Sequence, residues 1–374
     1  MKKIRVLQFT IAETKGGRTL YTLNNWKYIN KEKFQFDFIT FNKELDFEQQ
    51  LLKEGCQVWH ISCYPEDNRE QFIKEFDAVL EHGYDIIHIN TSYWRDTIVE
   101  ERAKAKGIRK IIIHAHNMGT GTIQSEDKDN EMRKRHFEVR ERLTEDLATD
   151  YWACSSEAAE WLYGDKISKN RIVLMKTAID INNFDYDSID RDKTRKDLGL
   201  EKRFVIGNVG KIVYQKNHEF LIHVFYEIRK TIPNAFLLIR GEGALKECIE
   251  KQIKELHLED DVKIMGRTNS LGKIFSAMDL FLMPSRYEGF PAVLVEAQAS
   301  GLPCIVSDSI SKETRITSLV SYKPLILDKW VKETEEIYGQ RRERKGMSFE
   351  LKIAGYDIWN QIQKIENAYM ENVK

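Results

Sequence analysis

Short apolar runs alternate with amphipathic stretches along most of the chain. IRVLQFT (4–10), FDFITF (36–41) and YDIIHIN (84–90) have the length and composition of buried strands. Between them, GGRTLYTLNNWKYI (16–29) and REQFIKEFDAVLEHG (69–83) show the helical spacing of apolar residues. Strands that alternate with helices predict βαβ units, and therefore parallel sheets that are covered on both faces.

The same alternation completes a first domain. QVWHIS (57–62), RKIIIHAH (109–116) and DYWACSS (150–156) are predicted as further strands, and NEMRKRHFEVRERLTEDLA (130–148) as a long charged helix. Residues 176–203 then interrupt the pattern, because they are polar, charged and rich in Asn and Asp, which predicts an interdomain linker.

A second alternating series follows this polar stretch. Its predicted strands are FVIGNVG (204–210), AFLLIRG (235–241), VKIMG (262–266), DLFLMP (279–284) and LPCIVSD (302–308). Helices are expected over 217–231, 243–256 and 291–300. We therefore expect an α/β protein of two Rossmann-like domains, with a cleft where the carboxyl ends of the strands bind ligands.

Length, charge and cysteine usage narrow the class of protein. The 374 residues exceed one ordinary core, and the formal charge of −1 gives no reason to expect a nucleic-acid partner. Five scattered cysteines without a CxxC pair indicate a reducing compartment. No apolar run approaches the roughly 18 residues of a membrane span, so a cytoplasmic protein is expected.

Residues 131–142, EMRKRHFEVRER, leave peripheral membrane contact open. Five basic residues on or near one helix would favour an anionic surface, whereas the interleaved acids favour a solvated helix. Those basic residues are Arg133, Lys134, Arg135, Arg140 and Arg142.

The stretch EGFPAVLVEAQASG (288–301) carries the candidate chemistry. Pro291 suits the first position of a helix, so that the N–H groups of Gly289, Phe290 and the first turn could meet a phosphate. Glu288 could then accept hydrogen bonds from sugar hydroxyls, and Glu296, one helical turn or more away, from a ribose. The alternative is an amphipathic helix with two solvated glutamates.

A second motif, GNVGKIVYQKN (207–217), follows a predicted buried strand. Lys211 and Lys216 next to a glycine-rich turn would stabilise the charge that develops on a diphosphate leaving group. Solvated lysines at the end of a strand are the alternative.

Together these motifs resemble the group 1 glycosyltransferases, family 4 of the retaining enzymes, and among them the capsular and exopolysaccharide members. The resemblance extends almost from end to end. It includes GGRTLYTLNNW near the N-terminus, HAHN (114–117), ACSSEAAEWLYG (153–164), GNVGKIVYQKNHEFLI (207–222) and the E-x7-E element from Glu288 to Glu296.

The resemblance implies the GT-B fold, in which two Rossmann-like domains face each other and the C-terminal helix crosses back to the first. The domains expected on this basis are 1–185 plus 356–374, for the acceptor, and 186–355, for the nucleotide sugar. The donor-binding positions that it implies are Gly16, Gly17, Lys211, Lys216, Glu288, Gly289, Phe290, Pro291 and Glu296. Glu288, Lys216 and His116 are the candidate catalytic residues, and His114 is a weaker candidate than His116.

The implied activity is retaining, metal-independent transfer of a sugar from a nucleotide-diphosphate sugar to a saccharide or a lipid-linked saccharide. No cofactor is expected, and UDP is the expected carrier. The acidic stretch DYD (185–187) lies in the polar segment and is a poor match to a metal site. A sugar-nucleotide epimerase of the same fold and a non-catalytic sugar-nucleotide-binding subunit stay open as alternatives.

Overall fold

The computed structural model describes residues 2–13, 16–119, 126–266, 270–340 and 343–371, with the side chains of 126–129 left aside. The chain forms two units. The first contains the described residues up to Ala178 together with those from Ile358 onward, and the second contains Ile179–Asp357.

The first unit is built on a seven-stranded parallel sheet in the order β3-β2-β1-β4-β5-β6-β7. Its strands are β1 (Ile4–Phe9), β2 (Phe34–Thr40), β3 (Val58–His60), β4 (Ile86–Thr91), β5 (Lys110–Ala115), β6 (Asp150–Ala153) and β7 (Ile172–Leu174). The helices between them are α1 (Gly17–Tyr28), α2 (Glu48–Lys53), α3 (Arg69–Leu80), α4 (Ile98–Ala105), α5 (Glu126–Arg140) and α6 (Ser156–Tyr163). The central strands are almost wholly buried, as expected for a sheet with helices on both faces.

The second unit contains a six-stranded parallel sheet in the order β10-β9-β8-β11-β12-β13. Its strands are β8 (Phe204–Val209), β9 (Ala235–Arg240), β10 (Val262–Met265), β11 (Leu280–Met283), β12 (Cys304–Ser307) and β13 (Val320–Lys323). Its helices are α7 (Ser188–Leu198), α8 (His218–Thr231), α9 (Lys246–Glu255), α10 (Leu271–Ala277), α11 (Ala292–Ala299), α12 (Leu327–Gly339) and α13 (Ser348–Ile353). Both sheets have the doubly wound topology predicted from the sequence.

The last helix, α14 (Ile358–Met370), belongs to the first unit and packs against α1. Its apolar face enters the core of that unit, where Tyr369 is fully buried. Polar contacts fix its register, since the Glu366 carboxylate accepts a hydrogen bond from the Asn30 N–H at 2.8 Å.

Composition predicts that the polar segment 176–203 is an interdomain linker, but only its start connects the units, at 178/179, and the rest belongs to the second unit and contains α7. Asp187 caps α7 by accepting a hydrogen bond from the Asp190 N–H at 2.8 Å. Arg191 and Arg195 of that helix both contact the Asp279 carboxylate, at 2.5 and 3.1 Å. The charges that suggested solvent exposure therefore anchor α7 within the second unit.

The boundary between the units also differs from the expected 185/186. The Ile179 N–H donates to the Tyr356 carbonyl at 3.0 Å, and Ile179 forms a parallel bridge with Asp357. Residues 179–185 therefore lie with the second unit, and among the described residues the chain passes between the units at 178/179 and 357/358. The predicted helix over 130–148 is shorter than expected, since α5 ends at Arg140.

Candidate functional site

Buried contacts hold the second half of helix α11 in place. Ala297 and Ala299 are fully buried against the sheet, so close packing is possible. The Gln298 side chain, also fully buried, donates to the Leu294 and Thr314 carbonyls at 3.1 and 2.9 Å. Because its partners lie on two elements, Gln298 locks the helix to the segment that follows β12.

Pro291 lies one position earlier than expected. It caps α11, which begins at Ala292, and its carbonyl accepts a hydrogen bond from the Leu294 N–H at 3.0 Å. A proline suits either position, since it has no N–H to satisfy.

Glu288 and Lys216 form an ion pair at the start of the loop before α11. The Lys216 Nζ and Glu288 Oε1 atoms are 2.5 Å apart, and only 8% of the Glu288 side chain is exposed. Buried Gln215 donates from Nε2 to Glu288 Oε2 at 3.3 Å and to the Tyr287 carbonyl at 2.9 Å. The pair therefore holds a carboxylate and an ammonium group side by side in a largely desolvated setting.

The turn after β8 carries both predicted lysines. Lys211 is exposed, whereas the aliphatic part of Lys216 lies over Gly210. This turn fits tightly against the end of β9, because the Gly210 N–H donates to the Arg240 carbonyl at 3.1 Å. A Cβ atom at Gly241 would be only 2.0 Å from the Gly210 carbonyl oxygen, so glycine is required there.

Glu296 lies on α11, in the same unit as Glu288 and Lys216. Burial raises its pKa to about 7, and the nearby positive charge of Arg240 partly opposes this shift. A carboxyl group that titrates near neutrality in a partly buried position is typical of functional sites.

Phe290 lies against the chain segment that precedes α14. Its ring stacks on the ring of Tyr356, with centroids 5.3 Å apart and an interplanar angle of 12°. This contact fixes the backbone at Gly289–Pro291.

In the first unit, Gly16 and Gly17 lie at the start of α1. Gly16 is the N-cap residue in extended conformation, and its carbonyl accepts a hydrogen bond from the Leu20 N–H at 2.8 Å. A Cβ atom at Gly17 would meet none of the described residues within 4 Å. Internal packing therefore does not explain a glycine at this position.

His116 follows β5 and belongs to a polar network. Its Nε2 atom is 2.9 Å from Asn90 Oδ1, and Asn90 Nδ2 donates to Gln8 Oε1 at 2.9 Å. Since the amide nitrogen of Asn90 faces Gln8, its oxygen accepts the proton of His116 Nε2, which leaves Nδ1 as the acceptor nitrogen. Burial together with the charges of His88 and Arg18 holds the pKa of His116 well below its ordinary value, so that the ring is neutral.

His114 is fully buried beside His116, with ring centroids 4.0 Å apart. His114 Nδ1 is 3.2 Å from His88 Nε2, and His88 Nδ1 is 2.6 Å from the Tyr369 hydroxyl. These contacts connect His114, through His88, to α14.

Sequence reasoning missed Gln215, Arg240 and Tyr356. Gln215 directly precedes the predicted Lys216, but an isolated glutamine carries no motif. Arg240 ends the predicted strand AFLLIRG, where a cation at the carboxyl edge was a usable signal. Tyr356 is separated from Phe290 by 66 residues, so only the fold brings the two rings together.

In the part of the chain that the structure describes, no group of three or more His, Cys, Asp or Glu side chains could hold a metal ion. Asp187 of the DYD stretch caps α7 instead. Within the same ranges, no helix is both long enough and apolar enough to span a bilayer.

Comparison with known proteins gives consistent matches. The family model described as "Glycosyl transferases group 1" matches residues 190–317. A Bacillus subtilis protein named as a glycosyltransferase, EpsF, is 28% identical over 98% of this chain and 96% of its own. The Escherichia coli UDP-Gal:alpha-D-GlcNAc-diphosphoundecaprenol alpha-1,3-galactosyltransferase is 31% identical over 82% of this chain and 80% of its own. The Staphylococcus aureus capsular polysaccharide biosynthesis glycosyltransferase CapH is 24% identical over 83% of this chain and 82% of its own.

Among solved structures, Anabaena HepE in complex with UDP and glucose superposes with a TM-score of 0.78. The match covers 98% of this chain and all of the HepE chain, at 17% sequence identity. At this identity the likeness establishes the fold.

Proposed function

Because the chain belongs to the group 1 glycosyltransferases, we propose that it transfers a sugar from a UDP-sugar to a saccharide or lipid-linked saccharide acceptor, with retention of configuration. The observation that carries this proposal is the Lys216–Glu288 pair, which is desolvated and buttressed by Gln215. Glycosyl transfer from a nucleotide needs both a cation for the departing diphosphate and an acceptor for sugar hydroxyls.

Lys216 would stabilise the diphosphate as the glycosidic bond breaks. An ammonium group has three N–H donors, and the bond to Glu288 occupies one of them. A cation fixed where negative charge develops lowers the barrier without having to reorganise. Exposed Lys211 would add a second positive charge to the same leaving group.

Glu288 would bind hydroxyls of the donor sugar. A carboxylate can accept several hydrogen bonds, and those that strengthen as the sugar ring acquires positive charge contribute to the rate. Gly289, Phe290 and Pro291 would form the wall next to the sugar and phosphates, with the Phe290–Tyr356 stack supporting it.

Glu296 would bind the ribose of the nucleotide. Hydroxyl donors from a ribose would favour the charged form of this carboxyl group, against its burial. That HepE was solved with UDP supports UDP as the nucleotide carried by the donor.

In the first unit, Gly16 and Gly17 would allow the backbone at the start of α1 to approach the diphosphate. Neutral His116 would accept a hydrogen bond at Nδ1 from a sugar hydroxyl. For the acceptor proton, the β-phosphate of the departing nucleotide is the base that we propose, so that neither a protein base nor a metal is required. The acceptor class is supported by the E. coli relative, whose acceptor is a diphosphoundecaprenol-linked sugar.

We place the reaction in the cytoplasm, in a surface polysaccharide pathway. All five cysteines are free thiols, as expected in a reducing compartment. The capsular role of the CapH relative supports the pathway.

A thermal-shift screen across UDP-, GDP- and dTDP-sugars tests the donor, followed by analysis of the products formed with and without acceptor. We expect UDP-sugars to raise the melting temperature of the wild-type protein, and Lys216→Ala to reduce this shift. The exposed helix α9 offers Lys251→Ala as the matched control. Isomerised nucleotide sugar would indicate an epimerase, and binding without any turnover would indicate a non-catalytic subunit.

A further inference from the structure

Residues from three separate connections meet at the carboxyl edge of the sheet in the first unit. Arg18 lies at the start of α1, after β1. Tyr64 and Glu66 follow β3, and Tyr93 and Arg95 follow β4. Since parallel strands end at the same edge, their loops form one surface, which is where doubly wound sheets bind ligands.

Arg95 is packed against two aromatic rings. Its Cζ atom is 4.2 Å from the centre of the Tyr64 ring and 4.9 Å from that of Tyr93. Tyr64 is itself stacked on Phe41, with centroids 4.0 Å apart. Arg95 Nη1 also donates to the Glu66 carboxylate. A guanidinium group has five N–H donors, so this bond leaves most of those donors for a ligand.

Arg18 lies close to the same groups but lacks a carboxylate of its own. Among the described residues, none of the carboxylate oxygens is within 4 Å of its guanidinium, and its Nη2 atom donates to Thr10 Oγ1 at 3.4 Å. Burial and the charge of Arg95 lower its pKa, whereas Tyr64 and Tyr93 oppose this. A desolvated cation next to another cation is costly unless an anion joins them.

The local charge balance is positive. Arg135 of α5 contacts the same Glu66 carboxylate, at 3.9 Å. Arg95 and Arg135 therefore share the Glu66 carboxylate, and Arg18 adds a third positive charge without a carboxylate, so these four side chains carry an excess of two positive charges. Arg95 also lines an open cavity of about 320 Å³. Further charged residues line this cavity: Glu66, Arg69, Asp96, Arg135, Glu138 and Arg142.

We propose that Arg18 and Arg95 form an anion subsite that binds the phosphate or diphosphate group of the acceptor, with Tyr64 and Tyr93 beside it. This inference rests on the proposed function. A diphosphate diester carries two negative charges, which matches the local excess, and guanidinium forks bind phosphate oxygens in pairs. Arg18 also affects the pKa of His116, so the subsite adjoins the histidine proposed to contact a sugar hydroxyl.

Binding of acceptor analogues at saturating UDP tests the subsite directly, since UDP occupies the nucleotide site proposed in the second unit. The probes are one saccharide presented as a short-chain alkyl diphosphate and as a neutral alkyl glycoside. We expect wild-type protein to bind the diphosphate at least about 10-fold more tightly than the glycoside. In Arg18→Gln and Arg95→Gln this preference should fall by about 10-fold or more.

Arg109→Gln is the matched control. Arg109 belongs to the same unit but directly precedes β5, at the amino edge of the sheet, and its side chain is 58% exposed. This variant should keep the wild-type preference. Equal binding of both probes by the wild type, or an unchanged preference in both test variants, would overturn the subsite.

The source of the phosphate is decided by two more probes, the corresponding sugar 1-phosphate and inorganic phosphate. Tighter binding of the alkyl diphosphate than of both indicates a lipid-linked acceptor, and comparable binding indicates a soluble phosphorylated one. If UDP-sugars fail to bind at all, the proposed function is wrong. If they bind and the neutral glycoside is used as well as the diphosphate, only the subsite is wrong.

Discussion

At the scale of single residues, the Glu288 carboxylate is a charged group that is held almost out of water. It is 2.5 Å from the Lys216 ammonium, and only 8% of its side chain is exposed. An ion pair this far out of water gains little net stability, because the desolvation cost offsets much of the attraction. We therefore expect the Glu288–Lys216 pair to contribute to ligand binding rather than to stability.

Glu288→Gln should lower kcat/KM for sugar transfer by more than about 100-fold, which corresponds to roughly 3 kcal/mol of transition-state stabilisation. The amide keeps the shape of the side chain but not the charge that supports the sugar ring. Glu250→Gln on α9 removes an exposed carboxylate from the same unit and should change little. Steady-state kinetics of both variants provide the measurement, and near-normal transfer by Glu288→Gln would remove this residue from the site.

Glu296 predicts a pH dependence. Its pKa is raised to about 7 in the folded protein, so its contribution to stability is fully present below pH ~4.5, the ordinary range of a glutamate. That contribution is lost as the pH rises through about 7, at a cost on the order of 1–3 kcal/mol. Glu296→Gln should remove this pH-dependent part of the unfolding free energy.

The affinity for UDP-glucose should change in the opposite direction. If ribose hydroxyls donate to the carboxylate, binding favours its charged form, and affinity should increase by about 5-fold to 10-fold between pH 6 and pH 8. Isothermal titration of wild type and Glu296→Gln measures this. The proposed ribose contact would be refuted by a flat wild-type profile, or by an equal increase in the variant.

At the scale of elements, the sequence predicts what depends on local pattern. Strands of the two sheets and the helix after Pro291 follow from apolar periodicity, because both sheets are buried on both faces. The segment at α7 was misjudged, since its charges are satisfied by Asp279, about 85 residues further along the chain. Gln215 and Tyr356 escaped notice for the same reason: their partners are supplied by the fold, and a single sequence does not reveal them.

Helix α1 offers a test that separates stability from function. Since a Cβ atom at Gly17 would meet no atom of the described part of the chain within 4 Å, Gly17→Ala should fold normally. It should even gain up to about 1 kcal/mol, because alanine favours the helix. If the backbone here approaches the donor diphosphate, the same methyl group should lower kcat/KM at least about 10-fold.

Melting temperature and transfer rate, measured on the same preparation of Gly17→Ala, separate the effect on stability from the effect on activity. Gly339→Ala at the end of α12 is the matched control, because a Cβ atom there also meets none of the residues that the structure describes within 4 Å. Full activity of Gly17→Ala would mean that no ligand comes close to this turn.

At the scale of the whole molecule, the chain builds the first unit from both of its ends. Helix α14 supplies Ile358, Ile362, Ile365 and Tyr369 to a core that otherwise comes from the first 175 residues. Tyr369 also links the polar network behind His116, because its hydroxyl contacts both His88 and Gln8. The last helix therefore supports the geometry of a proposed site residue some 250 positions earlier in the sequence.

Truncation after Asp357 should consequently destabilise the first unit and leave the second unit folded. Buried leucine or isoleucine side chains each contribute about 2–5 kcal/mol, so losing α14 removes more than a typical domain's whole stability margin. Hydrogen exchange should then become fast in β1, β4 and β5, while β8, β9 and β11 keep their protection. A chain that ends at Glu371 retains α14 and should match the full-length protein. Unchanged protection of β4 and β5 in the shorter chain would show that the first unit is complete without its last helix. It would also show that His88 keeps its position without the Tyr369 hydroxyl, and that His116, which Tyr369 reaches through Gln8 and Asn90, does so too.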